Sequence, residues 1–172
     1  MFRKVLVAMF VLMLVPAFVL AAAKKEQLQP QDIVIKAQVK SACNLLQEEY
    51  LKYKKGKLTL AEAKKRGADR LRELRYGDKK DGYFFADTLK GVNVVLPVNR
   101  KIEGTNRAKA KMLGVSYVKE IKKSALQKGG GFTEYFFPKM GGKEPLPKRS
   151  YSLVFKPFGW VVGTGYYLDD VK

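Results

Sequence analysis

The sequence predicts an α+β domain in which a five-stranded antiparallel sheet packs against helices gathered on one of its sides. The first observation is the helical spacing of apolar residues in the first half of the chain. The second is a series of short β-prone runs in the second half, separated by turns that contain Gly and Pro. The third is a length of 172 residues with 47% hydrophobic and 29% charged residues, which suits one globular domain.

Residues 1–23 are typical of a cleaved signal peptide. Arg3 and Lys4 precede the uncharged apolar run Val5–Leu20, and three alanines at 21–23 provide the small residues of a cleavage site. The alternative is an uncleaved anchor helix, for which the run is short. We therefore expect export to the periplasm or the extracellular space, with residues 24–172 as the folded domain.

Two helices are predicted before the first strand. Pro30 begins the first and Gly56 ends it, and its apolar face recurs at steps of three and four residues. The residues of this face are Ile35, Val39, Ala42, Leu46, Tyr50 and Tyr53. Thr59 and Glu62 form a capping box, which starts a second helix that stops near Gly77.

The β-prone runs that follow predict five strands. They lie at 82–87, 93–96, 132–137, 149–155 and 159–167. Apolar residues between 115 and 125 mark a third helix between the second and third of these strands. Residues 98–112 show no apolar periodicity and are expected to form a loop.

The residue types exclude several classes of enzyme. The sequence has no His and one Cys, which excludes a Ser-His-Asp triad, a Cys-His pair, His-rich or Cys-rich zinc sites and an intramolecular disulfide. Cys43 suits burial in the first helix, with an intermolecular disulfide as the alternative. The sequence also contains no apparent nucleophile–base pair and no Asp-rich calcium loop, so we expect a non-enzymatic protein without metal, chromophore or other cofactor.

The formal net charge of +18 comes from 34 Lys and Arg side chains against 16 Asp and Glu. Such a surface attracts polyanions and anionic lipid, so one functional hypothesis is a binder of anionic envelope surfaces. The basic residues are dispersed along the chain, which is typical of a solvated surface and does not predict a specific nucleic-acid site.

Five motifs in the second part of the sequence form a recognisable set. They are RYGDKKDGYFFAD (75–87), EGTN (103–106), GGFTEYFFPKMGG (130–142), PKRSY (147–151) and FGWVVGTGYYLDDV (158–171). In this order and spacing they resemble single Cache domains, the extracytoplasmic sensor modules of methyl-accepting chemotaxis receptors and sensor histidine kinases. The resemblance implies a PAS-like sheet behind a long N-terminal helix, with a pocket for a short organic acid such as acetate, propionate or pyruvate.

The sequence departs from the family pattern in two respects. Lys172 follows the last motif directly, so we expect a free-standing secreted domain that signals through a partner such as a membrane receptor or kinase. Leu96 and Met112 stand where the family commonly has a His and an Asp in the pocket. The resemblance therefore implies a ligand that is more apolar than the usual ones.

Seven residues are candidates for contact with the ligand: Arg75, Tyr83, Phe85, Tyr135, Phe137, Lys148 and Tyr151. An arginine can hold a carboxylate with two parallel hydrogen bonds, and phenol hydroxyls beside an apolar wall supply the donors that a buried oxyanion needs. The alternative for Arg75 is a solvated cation at a helix end. The alternative for the aromatic rings is packing in the core, and for Lys148 it is an exposed position.

Overall fold

The two helices predicted at the start of the domain are confirmed in the computed structural model, which describes residues 28–171. α1 spans Pro30–Lys54 and α2 spans Leu60–Glu73. Four residues of the predicted apolar face of α1 are buried: Ile35, Val39, Ala42 and Leu46. No helix within 28–171 is both long and apolar enough to cross a membrane. The predicted signal peptide at 1–23 lies outside the described residues.

The sheet contains six antiparallel strands, one more than predicted. They are β1 (Arg75–Tyr76), β2 (Gly82–Thr88), β3 (Asn93–Val95), β4 (Gly131–Pro138), β5 (Pro145–Phe155) and β6 (Trp160–Tyr167). The strand order is β1, β2, β6, β5, β4, and β3 also pairs with β2. The last strand of the chain therefore returns to the centre of the sheet, between β2 and β5.

α1 and α2 cover one face of the sheet, which we call the back face. Leu46 of α1 packs in one cluster with Phe84 of β2 and Val162 of β6. Near the start of α1 the buried Asp32 carboxylate accepts hydrogen bonds from the Arg149 guanidinium of β5 at 2.8 and 3.3 Å. This buried ion pair fixes the first turn of α1 against the sheet.

α3 (Tyr117–Ala125) covers the opposite face, which we call the front face. Val118 and Ile121 belong to the same apolar cluster as Tyr83 and Phe85 of β2, which alternate along the strand with back-face residues. The prediction that all helices share one side of the sheet is therefore wrong for α3. An apolar stripe shows that one side of a helix is buried, but it does not show against which face of a sheet.

The segment between β3 and α3 completes the layer over the front face. It was predicted as a loop, and it contains 3₁₀ turns within Pro97–Ile102. Leu96 and Met112 of this segment pack in the apolar cluster of α3. The Glu103 carboxylate anchors the segment, because it accepts from the Leu96 N–H at 2.9 Å and from the Arg72 guanidinium of α2 at 3.0 Å.

Candidate ligand-binding site

The candidate site is built around Lys148 of β5, which is only 1% exposed. Its ammonium nitrogen Nζ donates a hydrogen bond to the Tyr83 hydroxyl at 2.8 Å. The same nitrogen lies 4.1 Å from the ring centroid of Tyr83, 5.0 Å from that of Tyr167 and 5.8 Å from that of Phe137. Aromatic rings therefore enclose the charge, and their faces compensate part of its lost hydration.

Strand register brings these residues together. Lys148 pairs with Tyr135 on β4 and with Tyr167 on β6, so the three side chains form a row across the front face. Tyr83 and Phe85 lie on β2, on the other side of β6, and face the same way because residues two apart on a strand share a face. Four strands thus contribute to one site.

Lys148 has no carboxylate partner among residues 28–171, since none of the ion pairs there includes it. The two other buried basic side chains of this range each have one. Arg107 binds the Asp87 carboxylate at 2.7 and 2.6 Å, and Arg149 binds Asp32. Burial lowers the pKa of Lys148 from 10.5 to about 7. The charged form of this lysine is therefore disfavoured near neutral pH, and an added anion would stabilise it.

The phenol groups beside Lys148 remain protonated over the physiological range. Burial raises the pKa of Tyr83 well above its ordinary value and also raises the pKa of Tyr135 and of Tyr167. The Tyr83 hydroxyl accepts a hydrogen bond from Lys148 and forms a further hydrogen bond with the Tyr167 hydroxyl. The Lys148 ammonium is therefore the charged donor of the site, and the Tyr83 hydroxyl would join it as a donor to a carboxylate by exchanging Tyr167 for the ligand.

Apolar side chains share the front-face cluster with Tyr83. Phe85, Leu96 and Tyr117 are buried in the front-face cluster, and Met112 packs against it. Leu96 and Met112 are the positions at which the resemblance implied a His and an Asp, so apolar groups replace polar ones in this wall. A few convergent donors in an apolar surrounding suit a small acid with a hydrocarbon end.

A comparison of families identifies the domain. The family model for Single Cache domain 2 matches residues 28–172. The chain belongs to this family. Cache domains are extracytoplasmic sensor modules of receptors, and their solved structures share the long first helix and antiparallel sheet of this chain.

The chain is similar to parts of two signalling proteins. It is 33% identical over 118 residues to the methyl-accepting chemotaxis protein McpP of Pseudomonas putida, which covers 68% of this chain and 21% of McpP. It is 36% identical over 110 residues to the sensor histidine kinase MctS of Rhizobium johnstonii, which covers 63% of this chain and 23% of the kinase. The chain thus spans less than a quarter of the length of either relative.

A solved structure supports the relation to the sensor domains of such proteins. It is a Cache chemosensory domain described for its recognition of carboxylic acid, and it is 30% identical to this chain. The two structures superimpose with a TM-score of 0.76, over 80% of this chain and 92% of that domain.

In this single Cache domain, five of the seven candidate residues share the front face: Tyr83, Phe85, Tyr135, Phe137 and Lys148. The structure does not bring Arg75 or Tyr151 to them. Arg75 is exposed, and its guanidinium donates to the carbonyl oxygens of Arg72 and Leu74. Tyr151 lies on the back face in a cluster with Ile35 of α1, and its hydroxyl donates to the Gly129 carbonyl.

Two residues of the site escaped the sequence analysis. Tyr167 lies opposite Lys148, and its signal was available because it ends the last β-prone run within the most specific motif. Tyr117 stacks on Tyr135 with ring centroids 5.7 Å apart, and it lies between Val115 and Val118, two of the apolar residues that marked α3. Among residues 28–171, no three His, Cys, Asp or Glu side chains are placed to hold a metal ion.

Proposed function

We propose that this domain is an exported sensor that binds a short carboxylic acid at Lys148 and reports its presence to a partner protein, such as a membrane receptor or kinase. The supporting observation is the buried Lys148 ammonium, which has no carboxylate partner among the described residues. Removing an ammonium from water costs several kcal/mol when no counter-ion is nearby. A carboxylate supplies the missing charge, whereas a neutral or cationic ligand does not.

The surroundings of Lys148 favour a monocarboxylate with a small apolar end. The carboxylate accepts from the Lys148 ammonium and the Tyr83 hydroxyl, and the hydrocarbon end faces Leu96 and Phe85. A second carboxylate would need a second free cation, and the other buried cation described on the front face, Arg107, is already bound to a carboxylate. Acetate, propionate and pyruvate are therefore better candidates than four-carbon dicarboxylates.

The link from the ligand to a partner is proposed to run through β5. Lys148 and Arg149 are neighbours in this strand and point to opposite faces. Lys148 would hold the ligand on the front face, while Arg149 holds Asp32 in the first turn of α1 on the back face. If the ligand moves β5 at Lys148, the adjacent Arg149 would transmit this movement through Asp32 to the N-terminal end of α1.

The test is calorimetric titration with acetate, propionate, pyruvate and succinate. In the unchanged protein, a bound acid should add about 2.7 kcal/mol of stability at a hundred times its Kd, which raises Tm by roughly 5–10 °C. Lys148→Met should abolish binding, and Tyr83→Phe should weaken it about fivefold, because one hydrogen bond is worth about 1 kcal/mol. Lys156→Met is the matched control, because Lys156 is exposed just after β5.

A different result would support the other hypothesis. If no short acid binds, while heparin or anionic vesicles bind in a manner that weakens steeply with salt, then the basic surface carries the function. Export is tested separately by the intact mass of protein recovered from the cell envelope, which should correspond to a chain that begins at Lys24. Full-length protein that only detergent extracts would instead indicate a retained anchor.

A further inference from the structure

A cavity lies on the front face, at the other end of the sheet from Lys148. It has a volume of about 170 Å³ and lies between α3 and the turn that joins β2 to β3. Val161 of β6 forms part of its wall, whereas Tyr167 of the same strand pairs with Lys148. Six residues of extended strand separate these two positions, which is about 20 Å. The cavity is therefore separate from the Lys148 site.

The inner wall of this cavity is apolar. Val118 and Ile121 of α3 and Val161 of β6 line it, and all three are buried in the front-face cluster. Leu89 of the turn forms part of the wall and is 36% exposed. The volume corresponds to roughly six waters' share of the liquid, so a hydrocarbon chain of about four to six carbons would fill it.

The rim of the cavity is positively charged. Lys90, Lys119 and Lys122 line it and are exposed, and within residues 28–171 none of their ammonium groups forms an ion pair or a hydrogen bond. The one acidic residue in the lining, Asp87, is bound by both Nε and Nη2 of Arg107. Because the charge of Asp87 is neutralised by Arg107, it does not compensate the positive potential of the rim.

We propose that this cavity is a second binding site for a short amphiphilic carboxylate, whose hydrocarbon chain lies against Val118, Ile121 and Val161 and whose carboxylate lies among Lys90, Lys119 and Lys122. An apolar cavity with a charged rim orients such a molecule, because its hydrocarbon chain enters the cavity and its carboxylate stays at the rim. At the Lys148 site three aromatic rings lie close to Nζ, and we assign the shortest acids to it. The second site therefore takes longer-chain acids than the first.

The proposal is tested by titrating the purified full chain with hexanoate and following the methyl resonances of Val118, Ile121 and Val161 by NMR. These resonances should shift in a saturable way. Hexan-1-ol, which has the same chain without the charge, should bind at least tenfold more weakly. Excess acetate should leave the hexanoate shifts in place, and Lys148→Met should retain them, so failure of the Lys148 site does not affect this test.

Charge reversal at the rim gives the second arm. Lys119→Glu combined with Lys122→Glu should weaken hexanoate binding about tenfold or more, since two exposed attractions become repulsions. The control combines Lys123→Glu with Lys128→Glu, which changes the net charge equally at exposed positions outside the cavity and should alter the affinity less than twofold. The proposal is overturned if the methyl resonances do not shift, if acetate displaces hexanoate from them, or if the two double variants bind hexanoate equally.

Discussion

Binding of a carboxylate at Lys148 should depend steeply on pH above neutrality. Burial lowers the pKa of this lysine from 10.5 to about 7, which favours the neutral amine by about 5 kcal/mol relative to water. A carboxylate in contact with Nζ favours the ammonium again. Above pH 7, binding of the acid must therefore be accompanied by uptake of a proton by Lys148.

The size of the effect follows from this linkage. If Lys148 has a pKa of about 7 in the free protein and stays charged in the complex, the Kd rises about tenfold for each pH unit well above 7. Between pH 7 and pH 9 the Kd of acetate should therefore rise roughly fifty-fold. The tyrosines of the site do not contribute in this window, because burial raises the pKa of Tyr83, Tyr135 and Tyr167.

Calorimetry in two buffers of different ionisation enthalpy measures the proton uptake directly. The expected uptake is about half a proton per acetate at pH 7 and close to one at pH 9, on the same linkage argument. A Kd that changes less than twofold between these pH values, or binding without proton uptake, would refute the assignment of Lys148 as the charged partner. The lowered pKa of Lys148 also determines how the stability of the ligand-free protein changes with pH. The unfolded chain binds one proton more than the folded chain between pH 7 and 10.5, so the contribution of Lys148 to stability rises with pH in this window.

Two further substitutions test the packing around the site, each measured by urea unfolding. Asp32→Asn should destabilise the fold by about 1–3 kcal/mol, because it removes the Asp32 charge from the buried Arg149 guanidinium, which keeps its ion pair with Glu134 at 2.7 Å; a loss below about 0.5 kcal/mol would show that the Asp32 charge does not anchor α1. Gly163→Ala should cost about 1–3 kcal/mol, because the added methyl carbon would come within 2.4 Å of the Phe85 ring. Unchanged stability in Gly163→Ala would show that Phe85 can move away from the sheet.

The spacing of apolar residues was sufficient to predict the helices and strands that have one buried side. The apolar residues of α1 recur at helical spacing, and the longer strands have enough residues for their composition to be distinctive. β1 has two residues and no period that a pattern could show. The side on which α3 packs was also beyond local pattern, since it depends on the path of the chain from β3 across the front face.

The candidate site was predictable in its aromatic part and less so in its charge. Alternation along β5 could have separated two of the candidates, because Lys148 and Tyr151 are three residues apart and so face opposite sides of the sheet. The burial of Lys148 has no local signal, because lysine is normally exposed and its neighbours do not distinguish it. Sequence also does not show that Lys148 lacks a carboxylate partner, because the partners of Arg107 and Arg149 come from distant parts of the chain.

The free energy needed to charge the buried Lys148 is similar to the free energy needed to shift a conformational equilibrium. A ligand can shift an equilibrium between two states only by the difference in its affinity for them, and a complete shift from one state to the other takes about 5.5 kcal/mol. The cost of charging Lys148 in the free protein is about 5 kcal/mol, and a carboxylate removes it only in a state that keeps Nζ buried and in contact. A state in which Lys148 reached water would gain little from the same ligand. The charge of Arg149 is already balanced by Asp32 and Glu134. Lys148, whose charge has no carboxylate partner, is therefore the proposed switch, and Arg149 connects it to α1.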